Sequence, residues 1–254
     1  MSWAARRRFL ILFIVGTFGA ALLAVVLIAT FYRAPSCSDG IQNEGETGID
    51  CGGPCPYLCT AQEQPPTVLF TQTIQNGEGR TDAIAEVENK NPNAAAKNVP
   101  YSISFYGADQ VLVGEVTGTL DLPPSTIVPI FVPGVSSGNQ AIANAFLEIN
   151  PSSFRWLSMP TDPRVIPTVS PPNLGGTASN PSIEAVLSNP SATVLTNVRA
   201  VVLVHNSKGD VIAASATIIP SIPAQGQATA IFTWNGAFTD VPALIEVIPI
   251  IPLP

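Results

Sequence analysis

Cys37, Cys51, Cys55 and Cys59 are the side chains best equipped for chemistry, and all four fall in one glycine-rich segment. As thiolates they could hold zinc; oxidised, they would form two disulfides. Successive cysteines are separated by thirteen, three and three residues, so no Cys-x-x-Cys pair is present. An even number of cysteines in a stretch too short to build its own core reads as two disulfides, with three pairings open. Asp39, Asn43, Glu44, Glu46 and Asp50 lie between the first two cysteines. Hard oxygen donors in a glycine-punctuated loop are calcium-ligand chemistry, but this spacing does not match the twelve-residue EF-hand loop. Solvation of an exposed loop accounts for the same acids, so no metal is assigned and calcium remains the alternative.

Catalytic constellations are sparse. His205 is the only histidine, and no Gly-x-Ser-x-Gly, His-Glu-x-x-His, Gly-x-Gly-x-x-Gly or phosphate-loop motif occurs. A pair of carboxylates could still serve as acid and base in a hydrolase, but the acids are dispersed along the chain. The expectation is a protein that is not an enzyme and uses no cofactor. His205 is expected at a strand end, facing solvent.

The elements that must carry these residues begin with an apolar run. Phe9 to Phe31 has no charged residue, and as a helix it would cross a hydrocarbon layer of about 30 Å. A cleavable secretory signal is the competing reading. Against it, the run exceeds the usual length of a signal core, and Thr30-Phe31-Tyr32-Arg33-Ala34-Pro35 offers no small-x-small cleavage site. Arg6, Arg7 and Arg8 precede the run and only Arg33 closely follows it. The positive-inside rule then predicts a single-pass plasma-membrane anchor with a cytoplasmic N-terminus and everything after Tyr32 outside. Gly16 and Ala20 are a small-xxx-small pair, but such pairs are common in membrane helices, and no oligomeric state is read from it. Seven basic residues against eighteen acids remain beyond Arg33, a formal charge of 7 − 18 = −11. A surface this acidic repels phosphate backbones, which excludes nucleic acid as a partner.

The remaining chain says nearly the same thing twice. Asp82-Ala-Ile-Ala-Glu-Val-Glu-Asn89 is echoed by Ser182-Ile-Glu-Ala-Val-Leu-Ser-Asn189, and the runs Val99 to Tyr106 and Val198 to His205 follow in turn. Ile130-Phe131 pairs with Ile231-Phe232 if one residue is inserted. A lag near one hundred residues is the size of a complete β-sandwich, not of a solenoid repeat. Prolines and glycines break the chain beyond Pro65 into short runs, and Val99, Tyr101, Ile103 and Phe105 alternate with polar residues as a half-buried strand does. Gln140 to Leu147 is open to helix or strand.

Two resemblances can be placed on particular residues. The pattern from Cys37-Ser-Asp-Gly through Asp50-Cys-Gly-Gly-Pro-Cys55 resembles a short module of exported, multidomain surface proteins, which implies an extracellular setting. Asn89-Lys-Asn-Pro92 and Asn189-Pro190, with Ile103-Ser-Phe-Tyr-Gly107, resemble the late-embryogenesis-abundant (water-stress and hypersensitive-response) domains and the related Phe-x-Leu-Tyr-Asp domains. That likeness implies an all-β fold of two tandem immunoglobulin/fibronectin-III-like β-sandwiches, generally noncatalytic, with the asparagines in structural turns. The expected organisation is 1–35 cytoplasmic tail and transmembrane α-helix, 36–62 disulfide-stapled segment, 63–160 first sandwich and 161–254 second.

Comparing the copies locates where function is expected. Ala83, Ala85 and Val87 become Ile183, Ala185 and Leu187, as a shared core requires, whereas Glu86, Ser102 and Ser104 become Val186, Val201 and Leu203. If exposed, Val186, Val201 and Leu203 form an apolar face for a protein or envelope-polymer partner. Cover by the first domain or a terminal strand is the other expectation. The chain reads as a membrane-anchored display module for noncovalent binding, with a structural subunit of an envelope or secretion assembly as the alternative.

Overall fold

The computed structural model describes residues 3–31, 36–43, 45–76, 80–135 and 141–254. They divide into two compact units, 1–56 and 57–254. Helix α1 (Trp3–Phe31) is exposed over its described length and, at a mean hydropathy of 2.8, is long and apolar enough to span a membrane, a test a signal sequence also passes. Arg33 and Tyr32 lie outside the described residues.

The second unit is built almost wholly of antiparallel strands. Its first half contains β1 (Thr67–Asn76), β2 (Arg80–Asn89), β3 (Ala94–Gly107), β4 (Leu112–Leu122), β5 (Thr126–Val135), β6 (Ile142–Glu148) and the short β7 (Leu157–Ser158). They form two sheets of order β1-β2-β5 and β4-β3-β6, with β7 on β3. The second half contains β8 (Thr168–Val169), β9 (Asn173–Thr177), β10 (Asn180–Ser188), β11 (Leu195–His205), β12 (Val211–Ile222), β13 (Gln227–Thr233) and β14 (Leu244–Ile250). Here the sheets run β13-β10-β8, with β9 also on β10, and β12-β11-β14. Strand order therefore recurs, with β10, β11, β12, β13 and β14 in the places of β2, β3, β4, β5 and β6.

Each pair of sheets encloses its own core. Ala83, Ala85 and Val87 of β2 meet Val99, Ile103 and Phe105 of β3 in the first, while Ile183 and Leu187 of β10 meet Val198, Val202 and Val204 of β11 in the second. The alternation of β3 puts its apolar residues inward, as period 2 demands. β6 settles the ambiguity over 140–147, because Ile142 and Ala145 are needed in the first core; Gln140 lies outside the described residues. The inserted residue near Phe232 is not present: Ala83 pairs with Val132 and Ile183 with Phe232, each partner exactly one hundred positions on. Thus Phe131 corresponds to Ile231.

The Asn-Pro turns do more than reverse the chain. Asn89 is fully buried and its amide donates to Ala94, Leu122 and Pro123 carbonyls at 2.8, 3.2 and 2.6 Å, while its oxygen accepts from Asn91 N at 2.9 Å. Asn189 repeats this on Thr193, Ile222 and Pro223 at 2.7, 3.3 and 3.0 Å, and accepts from Ser191 N at 3.0 Å. One side chain so ties the turn after the second strand to the turn after the fourth, satisfying carbonyls that burial would otherwise orphan. Asn98 and Asn197 share a second recurrence, with φ of 51° and 52°; asparagine tolerates this left-handed region better than most residues.

Candidate functional site

The cysteine segment is oxidised throughout. Cys37 and Cys55 are bonded to each other, Cys51 and Cys59 are disulfide-bonded too, and none of the four is free. Of the three possible pairings, only the one containing Cys37–Cys55 stands, and no thiolate remains for zinc. The acids around it cap turns. Asp39 accepts from Ile41 N at 2.9 Å and Asn43 Nδ2 at 2.8 Å, and Asp50 accepts from Gly40 N at 3.1 Å. Buried Glu46 accepts from Asp50 N at 3.2 Å and rests its Oε1 3.0 Å from Cys55 Sγ. That sulfur carries no proton, so the contact is not a hydrogen bond. Glu44 lies outside the described residues.

Of the two expectations for the changed face, a partner surface or cover by the first domain, the structure shows cover for Val201 and Leu203. Val201 and Leu203 are fully buried, with Val211 and Ala214, against Ile74, Ile84 and Phe131 of the first half. The outer face of β12-β11-β14 therefore stacks on the outer face of β1-β2-β5, making a third apolar core between the two enclosed ones. Val186 belongs to a different sheet, is half-buried, and takes Ser170 Oγ on its N–H at 3.0 Å. Val186, Val201 and Leu203 thus do not form one exposed surface, because covering apolar area by the neighbouring half removes it from water. The same stacking explains why 57–254 is one compact unit. Gln72 Nε2 to Val211 C=O at 2.9 Å and Arg199 Nη2 to Phe131 C=O at 2.9 Å add polar ties across it.

Titratable groups gather at one margin of this interface. His205 is not an open strand end: its side chain is only 14% exposed, Nδ1 lies 3.2 Å from Gly209 C=O, and Nε2 lies 3.3 Å from Glu246 Oε2. The Nε2 approach has ion-pair distance without hydrogen-bond alignment. Glu86 is the first half's contribution. Burial pushes its carboxyl above the ordinary value, the Glu246 carboxylate pushes the same way, and His205 partly opposes them. This grouping has no sequence signature: the pairing of β11 with β14 brings His205 and Glu246 together, and Glu86 feels their charges from the other half.

At another margin the halves leave a cleft of about 660 Å³. Arg80, Asp82 and Phe131 line it from the first half, and Arg199, Ile218 and Trp234 from the second. Asp82 is buried and accepts from Gly134 N at 2.7 Å, while Trp234 donates its indole N–H to Ala214 C=O at 3.2 Å. Arg199 also borders a smaller cleft of about 290 Å³ beside Tyr101, where burial raises the phenol and the guanidinium opposes that rise. Arg199 has no sequence signature, because a lone arginine in an apolar strand carries no spacing signal.

No protein-family model matches the chain, and no curated protein does. Among solved structures, the crystal structure of red sea bream transglutaminase aligns with 73% of this chain at 13% identity and a TM-score of 0.25, a likeness too slight to carry an argument. The alignment spans 29% of the transglutaminase chain.

Proposed function

We propose that this is a single-pass anchored extracytoplasmic protein whose two tandem immunoglobulin-like β-sandwiches, copies of one ancestral unit, form a rigid body for noncovalent binding. The observation that carries the reading is the contrast between α1 and the strands. Most apolar strand residues pack into three internal cores, whereas every residue from Trp3 to Thr30 is exposed. Hydrocarbon is the solvent such a helix requires. Arginines ahead of it and oxidised cysteines after it support a cytoplasmic N-terminus and an oxidising exterior.

Protease added to intact cells should trim the β body while leaving the N-terminal tail protected, and alkaline carbonate should not extract the chain. A carbonate-soluble protein, or a β body sheltered from protease, would reverse the reading. Binding itself is tested by crosslinking the full chain in native membranes, which should give a saturable complex with a discrete envelope component. A chain that crosslinks to nothing would leave the display reading without support.

A further inference from the structure

The free edge of β12 faces the larger cleft, and its direction can be read from the ladder. His205 C=O accepts from Ala243 N on the β14 side, whereas Asn206 N donates to Asp210 C=O on the β12 side. Backbone groups alternate in direction along a strand, so Val204, Val202 and Ala200 point toward β12. Ser215 and Thr217, the partners of Val202 and Ala200, bond back into the sheet. The N–H and C=O groups of Ala214, Ala216 and Ile218 therefore point out of it. The Trp234 indole on Ala214 C=O has the same sense. No described strand pairs with this side of β12, and Pro220, lacking an N–H, ends the usable edge.

A cation overlooks that edge. Arg199 spends one donor on Phe131 C=O, which fixes the guanidinium, and most of its five N–H groups remain. Arg80 lines the same cleft. The carboxylate of Asp82 lines it too, buried on the Gly134 amide. The volume of about 660 Å³ lies within the range of ligand sites, roughly 300 to 1,000 Å³.

We propose that this cleft binds an extended peptide segment bearing a carboxylate, which joins β12 as an added strand through Ala216 and Ile218 and sets its carboxylate on Arg199. The proposal rests on the display reading and specifies the chemistry of its partner. The main-chain pairing supplies the register, and the guanidinium selects an acidic residue over its amide.

The probe is a C-terminally amidated hexapeptide, Thr-Val-Glu-Val-Thr-Val, carrying a neutral fluorophore and titrated by anisotropy against the full chain in detergent micelles. Saturable binding is expected, with Ala216 and Ile218 amides gaining protection from hydrogen exchange. Arg199→Ala should weaken it about tenfold, as should replacing the peptide's glutamate by glutamine, and N-methylating alternate peptide amides should abolish it. The two peptide changes leave the protein intact, so they decide the matter even if Arg199→Ala disturbs folding. No saturable binding, or binding indifferent to either the carboxylate or N-methylation, overturns the proposal. A full chain that crosslinks to its envelope component in membranes, yet fails these peptide tests, would sink the cleft and spare the display reading.

Discussion

Ile84 and Glu184 occupy the same register position in the two halves, opposite Phe131 and Ile231 respectively. Ile84 and Phe131 are buried, whereas Glu184 and Ile231 are exposed. The other sheets reverse the contrast: Ser102 and Ser104 of β3 are half-buried, and Val201 and Leu203 of β11 are fully buried. Each half therefore contributes a different outer face to the contact, an arrangement of the heterologous, head-to-tail kind. What the halves share maintains each enclosed core. What they do not share joins them.

The largest expected effect tests that asymmetry. Leu203→Asp should destabilise the β body by about 3 to 5 kcal/mol, the penalty for an uncompensated buried charge, while Ser104→Asp should change it by no more than about 0.5 kcal/mol. Urea denaturation of both variants measures the difference, and equal effects would break the comparison. Next come the recurring clamps. Asn89→Asp and Asn189→Asp each retain the accepting oxygen but lose the donor to three carbonyls, and each should lose about 3 kcal/mol. A large loss at one position alone would show that the clamps are not equivalent.

A smaller effect probes the interface by pH. The Glu86 carboxyl lies above its ordinary 4.5 in the folded protein, chiefly through burial. The folded state thus holds this proton more tightly than the unfolded one. Its stabilising contribution is complete below about pH 4.5 and is lost as pH rises through the higher folded value. Glu86→Gln should flatten this dependence and raise stability near neutral pH by well under about 1 kcal/mol, because the site is half open to water. A variant with the wild-type pH profile would remove Glu86 from the account. Smallest of all, Glu184→Ile on the exposed counterpart face should shift stability by no more than about 0.5 kcal/mol; a larger shift would mean that face is covered too.

Much of each half was legible along the chain. Period-2 alternation locates β3, and the echo of Asp82 to Asn89 in Ser182 to Asn189 locates β10. β9 escaped notice because Asn173-Leu-Gly-Gly-Thr177 has little strand propensity and is held by its pairing with β10. The unbroken apolar run from Ala200 to Val204 signalled a strand apolar on both faces, but which of the possible covers lies on it was not encoded locally. The reach of Asn89 to Leu122 and Pro123 was equally hidden, since an Asx turn predicts only the bond two residues ahead.

The sequence by itself determined an apolar helix of membrane-spanning length, an oxidisable cysteine segment, an all-β remainder and a strongly acidic surface. These follow from composition, spacing and periodicity, which act over a few residues. Tertiary structure decided that Val201 and Leu203 face Ile84 and Phe131 rather than a foreign partner, that Glu86 feels the charges of Glu246 and His205, and that Arg199 lines a cleft shared with β12. Those outcomes depend on which of several apolar faces bury each other, a choice set by the non-directional removal of area from water over the whole body.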